Sequence, residues 1–81
     1  MNLRQVEVFR AVMTNGTTAR AAEVLRISQP AVSKAIAEME RSIGFALFHR
    51  IKGRLQPTAE GQILFREVEQ TFTGLAHLRG A

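Results

Sequence analysis

The sequence predicts a mainly α-helical domain in which three helices are followed by a short β-hairpin and a long final helix. In four segments of the chain, apolar residues recur at spacings of three and four, as they do on one face of a helix. Between the third and fourth segments, two short stretches flank the basic turn Lys52-Gly53-Arg54, as the strands of a hairpin would. With 81 residues, the chain can build one core and is too short for a second.

The first two helices are predicted by their apolar faces and by polar residues that can cap them. Helix one runs from about Leu3 to Met13, after Asn2 as N-cap, and Asn15-Gly16 ends it. Its inward-facing residues are Val6, Phe9 and Met13, flanked by Leu3 and Val12. Thr17 or Thr18 can cap the short second helix. The inner face of that helix is Ala21, Ala22, Val24 and Leu25.

The third helix begins after Ser28, a capping residue, with Pro30 in its first turn, where a missing N–H costs nothing. Gly44 ends it. Four apolar residues at spacings of four, three and four face the core: Val32, Ile36, Met39 and Ile43. The opposite face is narrow and without bulky apolar groups, and consists of Pro30, Ser33, Lys34, Ala37 and Arg41. This second face is predicted to point outward.

The hairpin and the last helix complete the predicted fold. The strands are expected within 46–50 and 55–57, and Thr58 can cap a final helix of roughly 20 residues. One side of this helix carries Leu64, Val68, Leu75 and Leu78, with Phe65 and Phe72 beside them. Gly61, Gly74 and Gly80 weaken the helix, so its stability is expected to depend on packing against something else.

Composition and charge limit the class of protein. The chain is 46% hydrophobic with dispersed charges, which predicts a folded domain without a membrane span. It has no cysteine and no recognisable leader at its start, so a reducing, cytoplasmic location is expected. The whole net charge of +4 falls within residues 41–59, which hold four bases and no acid. Such a patch favours a polyanionic partner, although a solvated loop would look the same.

An enzyme is not predicted. The chain has no cysteine, no aspartate and no glycine-rich phosphate loop, and its two histidines, His49 and His77, have no second ligand at metal spacing. We therefore expect no catalytic residue, no metal and no cofactor.

Residues 18–41 supply two helices joined by a short turn, the second with a polar outer face, which are the parts of a helix-turn-helix. The residues that would fill the wedge between the helices are Ala21, Ala22, Leu25, Ile27, Val32 and Ile36. This spacing alone is also that of an ordinary helical hairpin.

The full set of motifs is more specific. The run AAEVLRISQPAVSKAI over residues 21–36 is followed by Glu40, Ile43-Gly44, Leu47-Phe48-x-Arg50 and Pro57-Thr58-x-x-Gly61. Over nearly its whole length, the chain resembles the N-terminal domain of LysR-type transcriptional regulators. It departs from the family pattern at Met39, where leucine is commoner, and at the glycines of the last helix.

The resemblance implies a winged helix-turn-helix over residues 1–58 and, over 59–81, a linker helix that pairs two subunits. It implies a bacterial, dimeric regulator of transcription that binds interrupted palindromes in double-stranded promoter DNA and forms higher oligomers at full length. Family members carry a C-terminal effector domain, which we expect to be absent from this chain. A small-molecule inducer would act only through that domain.

Four residues of the third helix are predicted to read bases, and the resemblance points to the same four. Gln29 can bond adenine through two atoms, Lys34 can donate to guanine, and Pro30 can touch a thymine methyl group while Ser33 lets the backbone approach. Simpler roles remain open: Gln29 and Pro30 as first-turn residues, Ser33 as a solvated hydroxyl, and Lys34 as a phosphate contact.

A second group is predicted to contact the DNA backbone or the minor groove. Thr17, Thr18 and Ser28 lie at helix starts, where N–H groups favour phosphate oxygens. The other three are basic residues of the hairpin: Arg50, Lys52 and Arg54. Capping alone, or a solvated turn, are the alternatives. Arg4 and Arg10 are interpreted as ordinary surface charges.

The last helix is predicted to form a dimer interface through its apolar side, Leu64, Val68, Phe72, Leu75 and Leu78. The same side could instead pack within one subunit. The alternative function is a helical module for protein interaction or oligomerisation that does not bind DNA.

Overall fold

The residues that the structure describes fold into four helices and one two-stranded antiparallel sheet, as predicted. A computed structural model describes residues 1–52 and 54–78, with side chains through residue 74. The elements in chain order are α1 (Leu3–Asn15), α2 (Thr18–Leu25), α3 (Gln29–Ile43), β1 (Phe48–Ile51), β2 (Arg54–Pro57) and α4 (Ala59–Leu78). No helix among the described residues is both long and apolar enough to cross a membrane.

The first three helices begin at predicted capping residues, and α1 and α3 also end at the predicted glycines, whereas α2 ends at Arg26, for which the sequence predicts no cap. The Asn2 side chain accepts a hydrogen bond from the backbone N–H of Gln5, whose own side chain accepts one from the Asn2 N–H. Thr17, rather than Thr18, caps α2, and Ser28 caps α3. The chain leaves α1 and α3 at Gly16 and Gly44 with φ of +85° and +89°, a region that glycine enters without steric cost.

The core lies where α1, α2 and α3 meet the start of the hairpin. Its largest fully buried side chains are Val8, Phe9, Val12, Val32, Met39 and Leu47. The Phe9 ring packs at centroid distances of 5.8 Å from Phe48 and 6.4 Å from Phe65, so it joins α1 to both later elements.

Two residues that the sequence places on or beside an inner face are exposed. Leu3 retains 64% of its exposure because, at 100° per residue, it lies on the side of α1 opposite the buried Val8 and Val12. Val24 retains 58% because it lies well to one side of Ala21 and Ala22, the residues that α2 buries.

The two strands are shifted from their predicted positions. Strand β1 spans 48–51 instead of 46–50, and β2 spans 54–57 instead of 55–57. Leu47, just before β1, is buried in the core. The register pairs Phe48 with Pro57 and Ile51 with Arg54, so Arg54 lies in strand β2 and not in the turn. Lys52 begins the turn with φ of +52°, and Gly53 lies outside the described residues.

Thr58 joins the hairpin to α4. Its hydroxyl donates to the carbonyl oxygen of Ala46 at 2.8 Å and accepts from the N–H of Gly61 at 2.9 Å. Its own N–H donates to the carbonyl oxygen of Leu47 at 3.0 Å. Thr58 therefore caps α4, as predicted, and also closes the base of the hairpin.

Helix α4 packs against α1 of the same chain. Val68 is only 7% exposed and belongs to the core, which corrects its assignment to a subunit interface. Arg10 pairs with Glu69, and its guanidinium carbon lies 4.6 Å from the Phe72 ring centroid. Arg10 is therefore a contact between helices and not the ordinary surface charge that its position suggested.

The other apolar residues that the sequence assigns to the packed side of α4 divide into two groups. Leu64, Phe65 and Phe72 are partly buried against the core and keep part of their surface exposed. Leu75 and Leu78, predicted to face a second subunit, have side chains outside the described residues.

Candidate nucleic-acid interface

The outer face of α3 presents a polar surface to solvent. Gln29, Pro30, Ser33 and Lys34 are all exposed, as are Ala37 and Arg41 farther along the helix. The opposite face of α3 buries Val32, Ile36 and Met39. The core therefore fixes the rotation of the helix, and the four predicted base-reading residues point away from the protein, as the spacing predicts.

The first turns of α2 and α3 lie next to each other. The Nε2 atom of Gln29 donates a hydrogen bond to Oγ1 of Thr18 at 3.0 Å. The hydroxyl oxygens of Thr17 and Ser28 accept from the backbone N–H groups of Arg20 and Ala31, so both residues act as caps. Each capping hydroxyl still has its own proton, which could be donated to a phosphate oxygen.

A groove of about 200 Å³ lies between α3 and the hairpin. Thr18, Ser33 and Arg50 line this groove, so it brings together one predicted residue from each of α2, α3 and β1. Ile36, Ala37, Glu40, Phe48 and Leu55 form the rest of its wall. The groove is polar at Thr18, Ser33, Glu40 and Arg50, and apolar where Phe48 and Leu55 lie.

Four cations surround this face. Arg41, Arg50, Lys52 and Arg54 are exposed, and none of them forms an ion pair with an acid in the part of the chain that the structure describes. Lys34 lies 4.0 Å from Glu38 but remains 77% exposed, so this contact is weak and leaves the ammonium group accessible. The local excess of positive charge seen in the sequence is thus available to an anionic partner.

Glu40, which the sequence indicates only as part of a motif, connects α3 to the hairpin. Its Oε2 atom accepts hydrogen bonds from the backbone N–H groups of Leu47 at 2.7 Å and Phe48 at 3.3 Å. These bonds attach the first strand of the hairpin to the side of α3. Glu40 therefore sets the position of the hairpin beside the exposed face of α3.

We expect Glu40→Gln to lower the free energy of unfolding by ~1 kcal/mol, because hydrogen bonds to a carboxylate are stronger than bonds to a neutral amide. Denaturant unfolding followed by circular dichroism measures the change. Glu23→Gln is the matched control: it removes the same charge from an exposed helical glutamate whose side chain makes no hydrogen bond or ion pair with a described residue. Equal losses in the two variants would contradict the assigned role.

Among the side chains that the structure describes, no group of three histidine, cysteine, aspartate or glutamate residues could hold a metal ion. His49 is exposed on β1, and the side chain of His77 lies outside the described residues.

Comparison with known proteins gives consistent matches. The family model for bacterial regulatory helix-turn-helix proteins of the lysR family matches residues 3–62. The transcriptional activator protein LysR of Escherichia coli is 47% identical over 81 residues, which are all of this chain and 26% of that protein. The chain thus spans about a quarter of the length of this curated relative.

Two solved structures that contain DNA have the same fold. The BenM_DBD complex with catB site 1 DNA superposes with a TM-score of 0.90 at 26% identity, covering 99% of this chain and 90% of that one. The CbnR_DBD–DNA complex superposes with a TM-score of 0.85 at 30% identity, covering 99% and 91%. The four helices and the hairpin therefore form a winged helix-turn-helix.

Proposed function

The chain belongs to the lysR family of bacterial regulatory helix-turn-helix proteins, and from this premise we propose that it binds specific sequences of double-stranded promoter DNA as a dimer. In this proposal α3 enters the major groove and the hairpin, acting as the wing, lies at the minor groove or the phosphate backbone. Its action on promoter DNA would take place in the bacterial cytoplasm. Any small-molecule inducer would act through residues outside this sequence.

One observation carries the proposal: the exposed face of α3 is polar while its opposite face is buried. The major groove of B-DNA admits one helix, whose N-terminal residues reach the base edges. Gln29, Pro30, Ser33 and Lys34 lie within the first two turns of α3 and are all exposed. The cations of the wing, which form no ion pair with the described acids, would then lie beside the major groove, where they can neutralise phosphates.

Selection of bound duplexes from a random DNA pool tests the proposal. We expect a short sequence to be enriched, repeated in inverted orientation at a fixed spacing. A prior titration with mixed-sequence DNA at low salt tests DNA binding of any kind. Absence of binding there would favour the alternative, a module for protein interaction.

Arg54 is proposed to neutralise a phosphate or to enter a narrow minor groove. Arg54→Gln should weaken binding to every sequence and flatten the plot of log affinity against log salt concentration by about one unit. Fluorescence anisotropy at several salt concentrations measures the slope. Arg4→Gln removes the same charge from α1, where Arg4 lies 3.8 Å from Glu7. An unchanged slope for Arg54→Gln, or an equal change for both variants, would remove Arg54 from the contact surface.

The dimer is proposed to form through the part of the apolar side of α4 that the core leaves exposed. This helix has 20 residues and a length of about 30 Å. Leu64 and Phe72 would contribute the surface that the core leaves free, and Leu75 and Leu78 would extend it. A two-fold dimer could place its two copies of α3 about one DNA turn apart.

Sedimentation of the chain at micromolar concentration measures its association. We expect a dimer, and we expect Leu75→Glu to shift the population to monomer because the charge would be buried between subunits. A wild-type chain that remains monomeric would contradict the proposed dimer.

A further inference from the structure

The side chain of Gln29 is hydrogen-bonded to the neighbouring helix α2. Its Nε2 atom donates to Oγ1 of Thr18 at 3.0 Å, across 11 residues of sequence. Thr18 is the first residue of α2 and Gln29 the first residue of α3, so both backbones are fixed by their helices. The bond therefore orients the amide at the exposed N-terminal end of α3.

The bond also determines what the amide can offer to a base. A glutamine amide has two N–H donors and one oxygen acceptor. With one N–H bound to Thr18, Gln29 presents one donor and one acceptor outward. Adenine offers the complementary pair in the major groove, the acceptor N7 and the donor N6–H. A reversed amide would present two donors, which match the acceptors O6 and N7 of guanine.

The Thr18 hydroxyl has a second capacity. It accepts from Gln29 and keeps its own proton, which it can donate to an oxygen of a phosphate. Thr18 lines the groove between α3 and the wing together with Ser33 and Arg50. A phosphate bound there would complete a chain of hydrogen bonds from the DNA backbone through Thr18 and Gln29 to a base, and such chains strengthen their members.

We propose that Thr18 is a positioning residue that makes Gln29 selective for adenine. The inference rests on the proposed function, since it requires α3 to lie in the major groove. An exposed glutamine loses conformational entropy when it is ordered at an interface, and a glutamine that is already hydrogen-bonded loses less of it. Thr18 would therefore contribute to sequence selectivity without touching a base.

The test compares Thr18→Val, which removes the acceptor and keeps the branched shape, with Thr18→Ser, which keeps the hydroxyl. The probes are the duplex enriched from the random pool and the same duplex with the Gln29-dependent adenine replaced by guanine. We expect Thr18→Val to reduce the preference for adenine about fivefold, the value of one hydrogen bond, and Thr18→Ser to retain most of it. In a Gln29→Ala background, Thr18→Val should leave the preference unchanged. Thr14→Val, on the exposed surface of α1, is the control.

Three results would overturn the inference. An equal loss on both duplexes, repeated in the Gln29→Ala background, would assign Thr18 to phosphate contact alone. Enrichment of guanine at the position that depends on Gln29 would show that Gln29 binds DNA with its amide reversed and two donors directed at the base. A pool without any enriched sequence would overturn the proposed function as well, whereas the first two results leave it intact.

Discussion

Gly61→Ala is expected to lower the free energy of unfolding by about 2–3 kcal/mol, the upper part of the usual range for overpacking. Gly61 is buried in the first turn of α4, and a Cβ atom there would overlap the carbonyl oxygen of Leu47. That oxygen is backbone and also accepts the hydrogen bond from Thr58, so it cannot move without opening the base of the wing. Denaturant unfolding followed by circular dichroism measures the loss.

The same substitution farther along the helix should have the opposite sign. Gly74 is exposed on α4, and a Cβ atom there would meet nothing within 4 Å. Gly74→Ala should therefore stabilise the chain by about 0.5–1 kcal/mol, because alanine loses less backbone entropy than glycine in a helix. If both variants were stabilised, the close approach between α4 and the wing would be disproved.

Gln29→Ala is expected to cost ~1 to 3 kcal/mol in binding the selected duplex and little in binding mixed-sequence DNA. The loss on the selected duplex comes from two hydrogen bonds to one base, which other sequences do not offer. Fluorescence anisotropy on both duplexes measures the two affinities. Their ratio separates the contribution of base contacts from the electrostatic contribution, which is common to all sequences.

Gln70→Ala is the matched control for this experiment, because it removes an exposed glutamine from α4. It should change neither affinity. Equal losses of Gln29→Ala on the selected and the mixed duplex would assign Gln29 to positioning, and another residue of α3 would then have to read the base.

The elements that sequence predicts well are those set by local rules. Asn2, Thr17, Ser28 and Thr58 cap helices because a side-chain oxygen can reach an N–H group two or three residues later, which sequence spacing reveals directly. The outward direction of α3 follows from the same local geometry, because four apolar residues on one side leave the other side for polar ones.

The features that sequence does not predict depend on contacts between distant residues. The bond from Gln29 to Thr18, the attachment of β1 by Glu40 and the pairing of Arg10 with Glu69 each join separate elements. Hydrophobic periodicity contains no information about such polar contacts. Val68 illustrates the same limit for apolar residues. An apolar stripe on a helix shows that one face packs against something, but it does not show whether the packing partner is the same chain or a second subunit.

Thr58 couples the movement of α4 to that of the hairpin. Its hydroxyl donates to the carbonyl oxygen of Ala46 and accepts from the N–H group of Gly61. The start of α4 and the base of the hairpin are therefore joined through one side chain. A rotation of α4 would therefore either break these two hydrogen bonds or move the hairpin together with the helix. Helix α4 and the hairpin are therefore coupled through the side chain of Thr58.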